Sequence, residues 1–196
     1  MKNQFKIRWI VLYYSILLYA GMATAVLGPS LLNLIEQTSS SLKEMSMIFP
    51  ARAAAFLVGS WLAGLLFDRT RGHRLLRWGI VLMALTFLLV PVQSNHIFNI
   101  ILVMVMAVGT GLVDVGSNTL IFRVKEINLG AVMNGLHLFY GIGSFFAPLI
   151  LIGSLANDNS IRYAYWGLGL FSFVILGQLI NLPTPDKISD QERVPS

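Results

Sequence analysis

Cysteine is absent from the 196 residues, which excludes disulfides, thiolate metal sites and cysteine nucleophiles and leaves the redox compartment unaddressed. Charge is scarce. Asp, Glu, Lys and Arg make up 12% of the chain, against 56% hydrophobic residues and a mean hydropathy of +0.71. That balance exceeds what a soluble domain of this size keeps in solution. Acidic residues are the rarer sign, 9 against 14 basic. A basic excess invites a nucleic-acid reading, but its distribution assigns it to membrane orientation, and no nucleic-acid partner is expected. What the chain has in quantity is apolar runs of about 20 residues, each long enough to cross a ~30 Å hydrocarbon core. Membrane lipid is therefore its surroundings, and no room remains for a soluble domain.

Breaks between the runs place six membrane-spanning helices at residues 9–33, 46–67, 75–93, 97–122, 129–155 and 162–182, within one domain over 1–183 and a polar tail over 184–196. The expected fold is all-α, a polytopic six-helix bundle. Gly28-Pro29, late in the first run, predicts a bend near the far surface. That run is too long for a cleaved signal peptide. With both termini on one side, that side carries eleven Lys and Arg (Lys2, Lys6, Arg8, Arg69, Arg71, Arg74, Arg77, Arg123, Lys125, Lys187, Arg193) and the other three (Lys43, Arg52, Arg162). The bias predicts cytoplasmic termini in the plasma (inner) membrane, and it is too strong for dual topology, so any dimer is expected to be parallel.

Many carriers are built from inverted repeats of three helices, so span two is expected to echo span five. Residues 56–66, Phe-Leu-Val-Gly-Ser-Trp-Leu-Ala-Gly-Leu-Leu, align with residues 140–150, Tyr-Gly-Ile-Gly-Ser-Phe-Phe-Ala-Pro-Leu-Ile, with four identities. Two small-residue membrane helices also match by composition alone, so a 3+3 repeat and a chance likeness both stand.

Three motifs carry a family resemblance. The loop after span two holds Gly64, Asp68, Arg69, Gly72 and Arg74, similar to a G-x-x-x-D-R-x-G-x-R signature with one extra residue. Span four holds Gly109, Gly111, Asp114 and Asn118, similar to G-x-G-x-x-[DE]-x-x-x-N. Span five holds Asn134, Leu136, His137, Phe139, Gly141 and Gly143, similar to N-x-L-[HQ]-x-x-F-G-x-G. In these the chain resembles the amino-terminal half of a major facilitator superfamily transporter, of the fucose-permease and sodium-dependent-glucose-transporter-like branch. The resemblance implies half of a 3+3 inverted-repeat fold and a conformational latch at Gly64, Asp68, Arg69 and Arg74. Family members of this branch carry a first-span carboxylate, which here falls at Gly28 or a neighbour, and this puts proton coupling in question.

Asp114 is the sharpest chemical signal, because an ionisable group inside a membrane span costs several kcal/mol unless paired or hydrated. It lies about 13 Å below the cytoplasmic end, counting about 1.5 Å per residue from Arg123. Spans four and five turn around Glu126, which sets His137 at the depth of Asp114 and Asn134 at that of Asn118. Asp114 and Asn118 share one helix face, as do Asn134 and His137. These four, with Tyr140, form the expected site for solute or coupling ion (H+ or Na+). The alternative is a static polar clasp between two helices.

Other residues read as follows. Arg52 either snorkels to the outer surface or pairs with Glu36 or Glu44. His73 sits in a cationic loop and is expected to be solvated. Neither His73 nor His96 has neighbours at metal-ligand spacing, and no metal or other cofactor is expected. Gly109, Gly111, Gly116, Gly141 and Gly143 read as helix-packing residues. Tyr14, Trp61 and Tyr140 are candidates for stacking on a sugar.

The expected function is secondary-active transport of a small polar uncharged solute, a sugar, by alternating access in a parallel homodimer of half-transporters. Uncharged follows from the absence of Lys or Arg at the depth of Asp114. The alternative is a non-transporting interaction protein, or a half that needs a separate partner. An enzyme would draw on Ser117 or Ser144 near His137, but neither sits in an elbow or oxyanion motif, and no enzymatic activity is expected.

Overall fold

The computed structural model describes residues 2–67, 69–70, 72–158 and 160–185. Asp68, Arg71 and residues 186–196 of the tail lie outside the described residues. The chain is all-α, and six of its helical stretches are long and apolar enough to cross a membrane: Phe5–Ala25, Leu42–Phe67, Gly72–Val92, His96–Ile121, Leu129–Ala156 and Arg162–Asn181.

The helices are α1 (Lys2–Ala25), α2 (Leu27–Thr38), α3 (Leu42–Ser46), α4 (Ile48–Phe67), α5 (Gly72–Leu89), α6 (His96–Ile121), α7 (Leu129–Asp158) and α8 (Arg162–Asn181). The break between α1 and α2 falls at Val26, three residues before the expected proline. Pro29 has no N–H for the Ala25 carbonyl, so the ladder is interrupted one turn upstream of the ring. Ser39 ends α2 in the left-handed conformation (φ 49°), with its amide and that of Ser40 bonding back to Glu36 and Ile35. Ser41 and Glu44 then form a reciprocal capping box that starts α3. On the same outer surface the Gln37 amide donates to the carbonyls of Val90 (2.9 Å) and Gln93 (2.6 Å), tying α2 to the turn between α5 and α6.

Glycines set the helix packing. A Cβ added at Gly59 of α4 would lie 2.4 Å from the Val108 carbonyl oxygen of α6, and one at Gly111 of α6 would lie 2.6 Å from the Ser60 amide. The pair α1 and α7 repeats this seam. A Cβ at Gly143 would lie 1.9 Å from the Leu18 carbonyl oxygen, and one at Gly21 2.1 Å from that of Tyr140 and 3.1 Å from the Ser144 amide. Gly59-Ser60 and Gly143-Ser144 are equivalent in the weak sequence alignment, and Leu18 and Gly21 are spaced as Val108 and Gly111 are. Two seams in which backbones touch through matching glycines, each between one helix of the first three spans and one of the last three, make a physical repeat, consistent with a 3+3 arrangement. A Cβ at Gly64 or Gly141, in contrast, would meet no atom within 4 Å. These two glycines make no close helix approach within the six-helix unit.

Behind the seams, α5 packs on α6 and α8, and an aromatic cluster of Tyr19, Phe87, Tyr165 and Phe171 fills the junction with centroids 5.6 to 6.0 Å apart. Burial is uneven. In the apolar windows of the α5 and α6 spans 56% of residues are buried, but only 22% in the Leu42–Phe67 and Leu129–Ala156 spans. The α4 and α7 helices thus leave a broad side uncovered, with Trp61, Leu57, Leu138 and Phe145 exposed on it.

His73 is not solvated. It is 2% exposed, with Nε2 3.0 Å from the Tyr13 hydroxyl and Nδ1 3.0 Å from the Leu182 carbonyl. The carbonyl can only accept, so Nδ1 carries the proton and Nε2 accepts from Tyr13. The surrounding charges suggested an exposed loop, but the ring turns inward to join α1, α5 and the end of α8. Trp9 reinforces the same corner by donating from Nε1 to the Pro183 carbonyl at 2.8 Å.

Candidate functional site

Asp114 sits half-buried two turns from the C-terminal end of α6, one turn before Asn118. The Asn118 amide donates to the Asp114 backbone carbonyl (2.9 Å) and to its carboxylate Oδ1 (3.2 Å). The i,i+4 spacing therefore produces a direct bond, which fixes one carboxylate oxygen against the helix. The Asn118 Oδ1 is buried without a partner, leaving an acceptor unused beside the carboxylate.

Of the expected α7 residues, His137 is exposed and within charge–charge range of Asp114, with no hydrogen bond between them. Asn134 is exposed and, among the described residues, hydrogen-bonds to none of the others. Tyr140 is half-buried. Among the described residues no hydrogen bond joins the α6 pair to the α7 residues, because α1 packs along both α6 and α7 while those two helices scarcely touch.

Two other candidates are engaged in the α1–α7 seam, and a third is buried without a hydrogen-bond partner. Tyr14 stacks on Phe139 (centroids 4.7 Å, interplanar angle 21°), and its hydroxyl fills the space beside Gly135, so it serves the α1–α7 seam. Ser144 donates to the Gly21 carbonyl at 3.2 Å, and Ser117 is fully buried. Neither serine is open to a substrate.

Two groups that depth counting missed are buried donors without partners. Thr24, whose Oγ1 is buried and bonds nothing, stands in α1 where Asp114 stands in α6 when Gly21 is matched to Gly111. A hydroxyl, not a carboxylate, thus holds the equivalent position of the first repeat. Arg52 is the second. It pairs with neither Glu36 nor Glu44, its Nε is buried without a partner, and the Tyr140 ring of α7 lies within its electrostatic range. The visible signal was its place on one stripe with Ala55, Gly59 and Ala63, which face α6.

Beyond α4, Arg69 and Arg74 are exposed, and Arg74 lines a groove with Arg77 and Trp78. The Arg123 guanidinium lies 4.4 Å over the Phe67 ring, fixing the C-terminal end of α4, and Lys6 pairs with Glu126. Among the described residues no three His, Asp or Glu groups are placed to hold a metal.

Against known proteins, the Major Facilitator Superfamily matches residues 13–195. The chain is similar to "Sodium-dependent glucose transporter 1A" of Mus musculus, 34% identical over 137 residues, covering 70% of this chain and 32% of the relative. It is also similar to "Major facilitator superfamily domain-containing protein 4A" of Xenopus tropicalis, 33% identical over 153 residues, covering 76% and 30%. With "Sodium-dependent glucose transporter 1" of Homo sapiens it shares 31% identity over 132 residues, 66% and 25%. The matched part spans about a third of the length of these relatives or less.

Proposed function

Because the chain belongs to the Major Facilitator Superfamily, we propose that its six helices are the solute-binding half of an alternating-access carrier for a small hydroxyl-bearing solute of the sugar class. The observation that carries this reading is the Asp114–Asn118 pair inside a membrane span, with His137 of α7 within charge–charge range and not hydrogen-bonded to it. A static clasp would join the helices directly. An open carboxylate, amide and imidazole instead offer the donors and acceptors that sugar hydroxyls need. Relatives named for sodium-dependent glucose transport support the solute class.

Asp114 is the group through which H+ or Na+ supplies coupling energy. Gly64, Asp68, Arg69 and Arg74 form the inner latch, and the open space beside Gly64 leaves room for another helix to approach there. The test is uptake by the purified chain in proteoliposomes, with a panel of sugars and imposed H+ or Na+ gradients. Gradient-driven accumulation of at least one sugar is expected, and none with any member under either gradient rejects the reading.

The charge bias supports cytoplasmic termini in the plasma membrane. A cysteine at Ser39, in this cysteine-free background, should react with an impermeant thiol reagent from outside and one at Ser189 only from inside. Labelling of either position from both sides would mean dual topology.

The sparsely buried α4 and α7 need a cover, and in this proposal a second copy in parallel orientation supplies it about a two-fold axis along the membrane normal. That axis brings α4 of one copy beside α7 of its partner. Cysteines at Gly64 and Gly130 are then expected to cross-link between copies in native membranes. Monomer alone in nanodiscs, with no cross-link in membranes, would point to a separate partner half.

A further inference from the structure

We propose that Arg52, together with Tyr140, is a carboxylate-binding pole of the same cavity, so that the solute is a hydroxylated monocarboxylate, a sugar acid, and not a neutral sugar. The proposal rests on the solute-carrier reading and narrows its substrate class.

A snorkelling arginine carries its guanidinium out to water. Arg52 does so only in part, because its Nε is buried without a partner. Neither outer acid pairs with it. Glu44 accepts from the Ser41 amide (2.8 Å) and hydroxyl (2.7 Å), and Glu36 borders an outer groove with Asn33 and Arg162. Close packing of Gly59 on α6 turns the stripe of Arg52 toward the bundle instead of lipid. Among the described residues nothing hydrogen-bonds or ion-pairs with it, and only its Nε is both buried and unpartnered. Its terminal nitrogens are therefore accessible and bond nothing among the described residues, and Tyr140 of α7 lies within its electrostatic range.

An unpaired guanidinium at membrane depth calls for an anion, and its planar fork fits a carboxylate with two parallel hydrogen bonds. Counted from the inner helix ends, Arg52 lies about 22 Å deep and Asp114 about 10 Å. The arginine side chain covers about half of that difference, and one six-carbon acid spans the rest with its hydroxyls toward Asp114 and Asn118. Charge closes the argument. When Asp114 carries its coupling cation, Arg52 leaves the cavity with one positive charge, and a monocarboxylate solute makes the loaded cavity neutral.

The experiment compares D-gluconate with D-glucose as probes of uptake by the full chain in proteoliposomes, in wild type, Arg52→Gln and Arg52→Lys. Wild type should take gluconate with an apparent KM about tenfold below that of glucose, the factor that one charge-assisted pair contributes. Arg52→Gln should lower this preference about tenfold, and Arg52→Lys, which keeps the charge and loses the fork, should recover part of it. A wild type that prefers glucose or treats both alike overturns the proposal without any variant and leaves the sugar-carrier reading standing. Equal loss of both probes in Arg52→Gln also overturns it, because that is the mark of a structural arginine. Uptake of neither probe by wild type rejects this proposal.

Discussion

Replacing Asp114 with asparagine should collapse gradient-driven accumulation to equilibration while the protein stays folded. A proton moved through Asp114 gains about 1.4 kcal/mol per pH unit, and any cation about 2.3 kcal/mol per 100 mV. One pH unit then sustains about a tenfold concentration ratio for a solute anion, or with 100 mV a few hundredfold for a neutral sugar, and asparagine can carry neither contribution. Folding should survive, because asparagine is nearly isosteric and its oxygen can still accept the bond from the Asn118 amide, now 3.2 Å long to the carboxylate. Accumulation ratio under an imposed gradient, read beside the melting temperature, decides the matter. A variant that still accumulates solute as wild type does removes Asp114 from the coupling role.

The largest expected effect on stability belongs to a single methyl group. At Gly143 an alanine Cβ would lie 1.9 Å from the Leu18 carbonyl oxygen, a distance that only separation of α1 from α7 can relieve. Overpacking in a well-filled interior costs about 1–3 kcal/mol where side chains can yield. Here the obstacle is backbone, so the cost should exceed about 3 kcal/mol, a large fraction of a domain's stability. Two residues away, Gly141 has nothing within 4 Å of its added Cβ, and alanine there should be nearly neutral. Thermal unfolding in detergent should therefore show Gly143→Ala with a sharply lower midpoint or no monodisperse protein, and Gly141→Ala close to wild type. Similar melting of both variants would refute the glycine seam as the feature that fixes α1 on α7.

The contrast between these two glycines marks how far the sequence can be read. Six apolar runs separated by charge leave little choice of fold class, because only length and hydropathy are needed to recognise helices that cross a membrane. Depth is legible too, since residue rise along a helix is constant, and it led to Asp114, Asn118 and His137. Azimuth and lateral distance are not encoded in that count. They depend on which helix lies between which, and α1 packs along both α6 and α7, so that neighbours in the chain are not bonded neighbours in space. Asn134, at the right depth, is accordingly joined to no other site residue. The same lack misled the reading of His73. Local charge suggested water, while packing by Tyr13 and Leu182 turns the ring inward.

The duplicated glycine seam has an energetic consequence. The α4–α6 and α1–α7 seams each join one helix of the first three-helix repeat to one of the second, through matching glycines but inverted across the membrane. In the carrier proposed above, a body of that kind presents similar shapes at its two ends, so closing the cavity on one side replaces contacts of about the same strength as those lost on the other. The two conformers are then close to degenerate in free energy, and the coupling ion and solute need only a small difference in affinity between them to redirect the population. Any substitution that strengthens the packing at one end alone would trap the carrier facing away from it, however well the solute still bound.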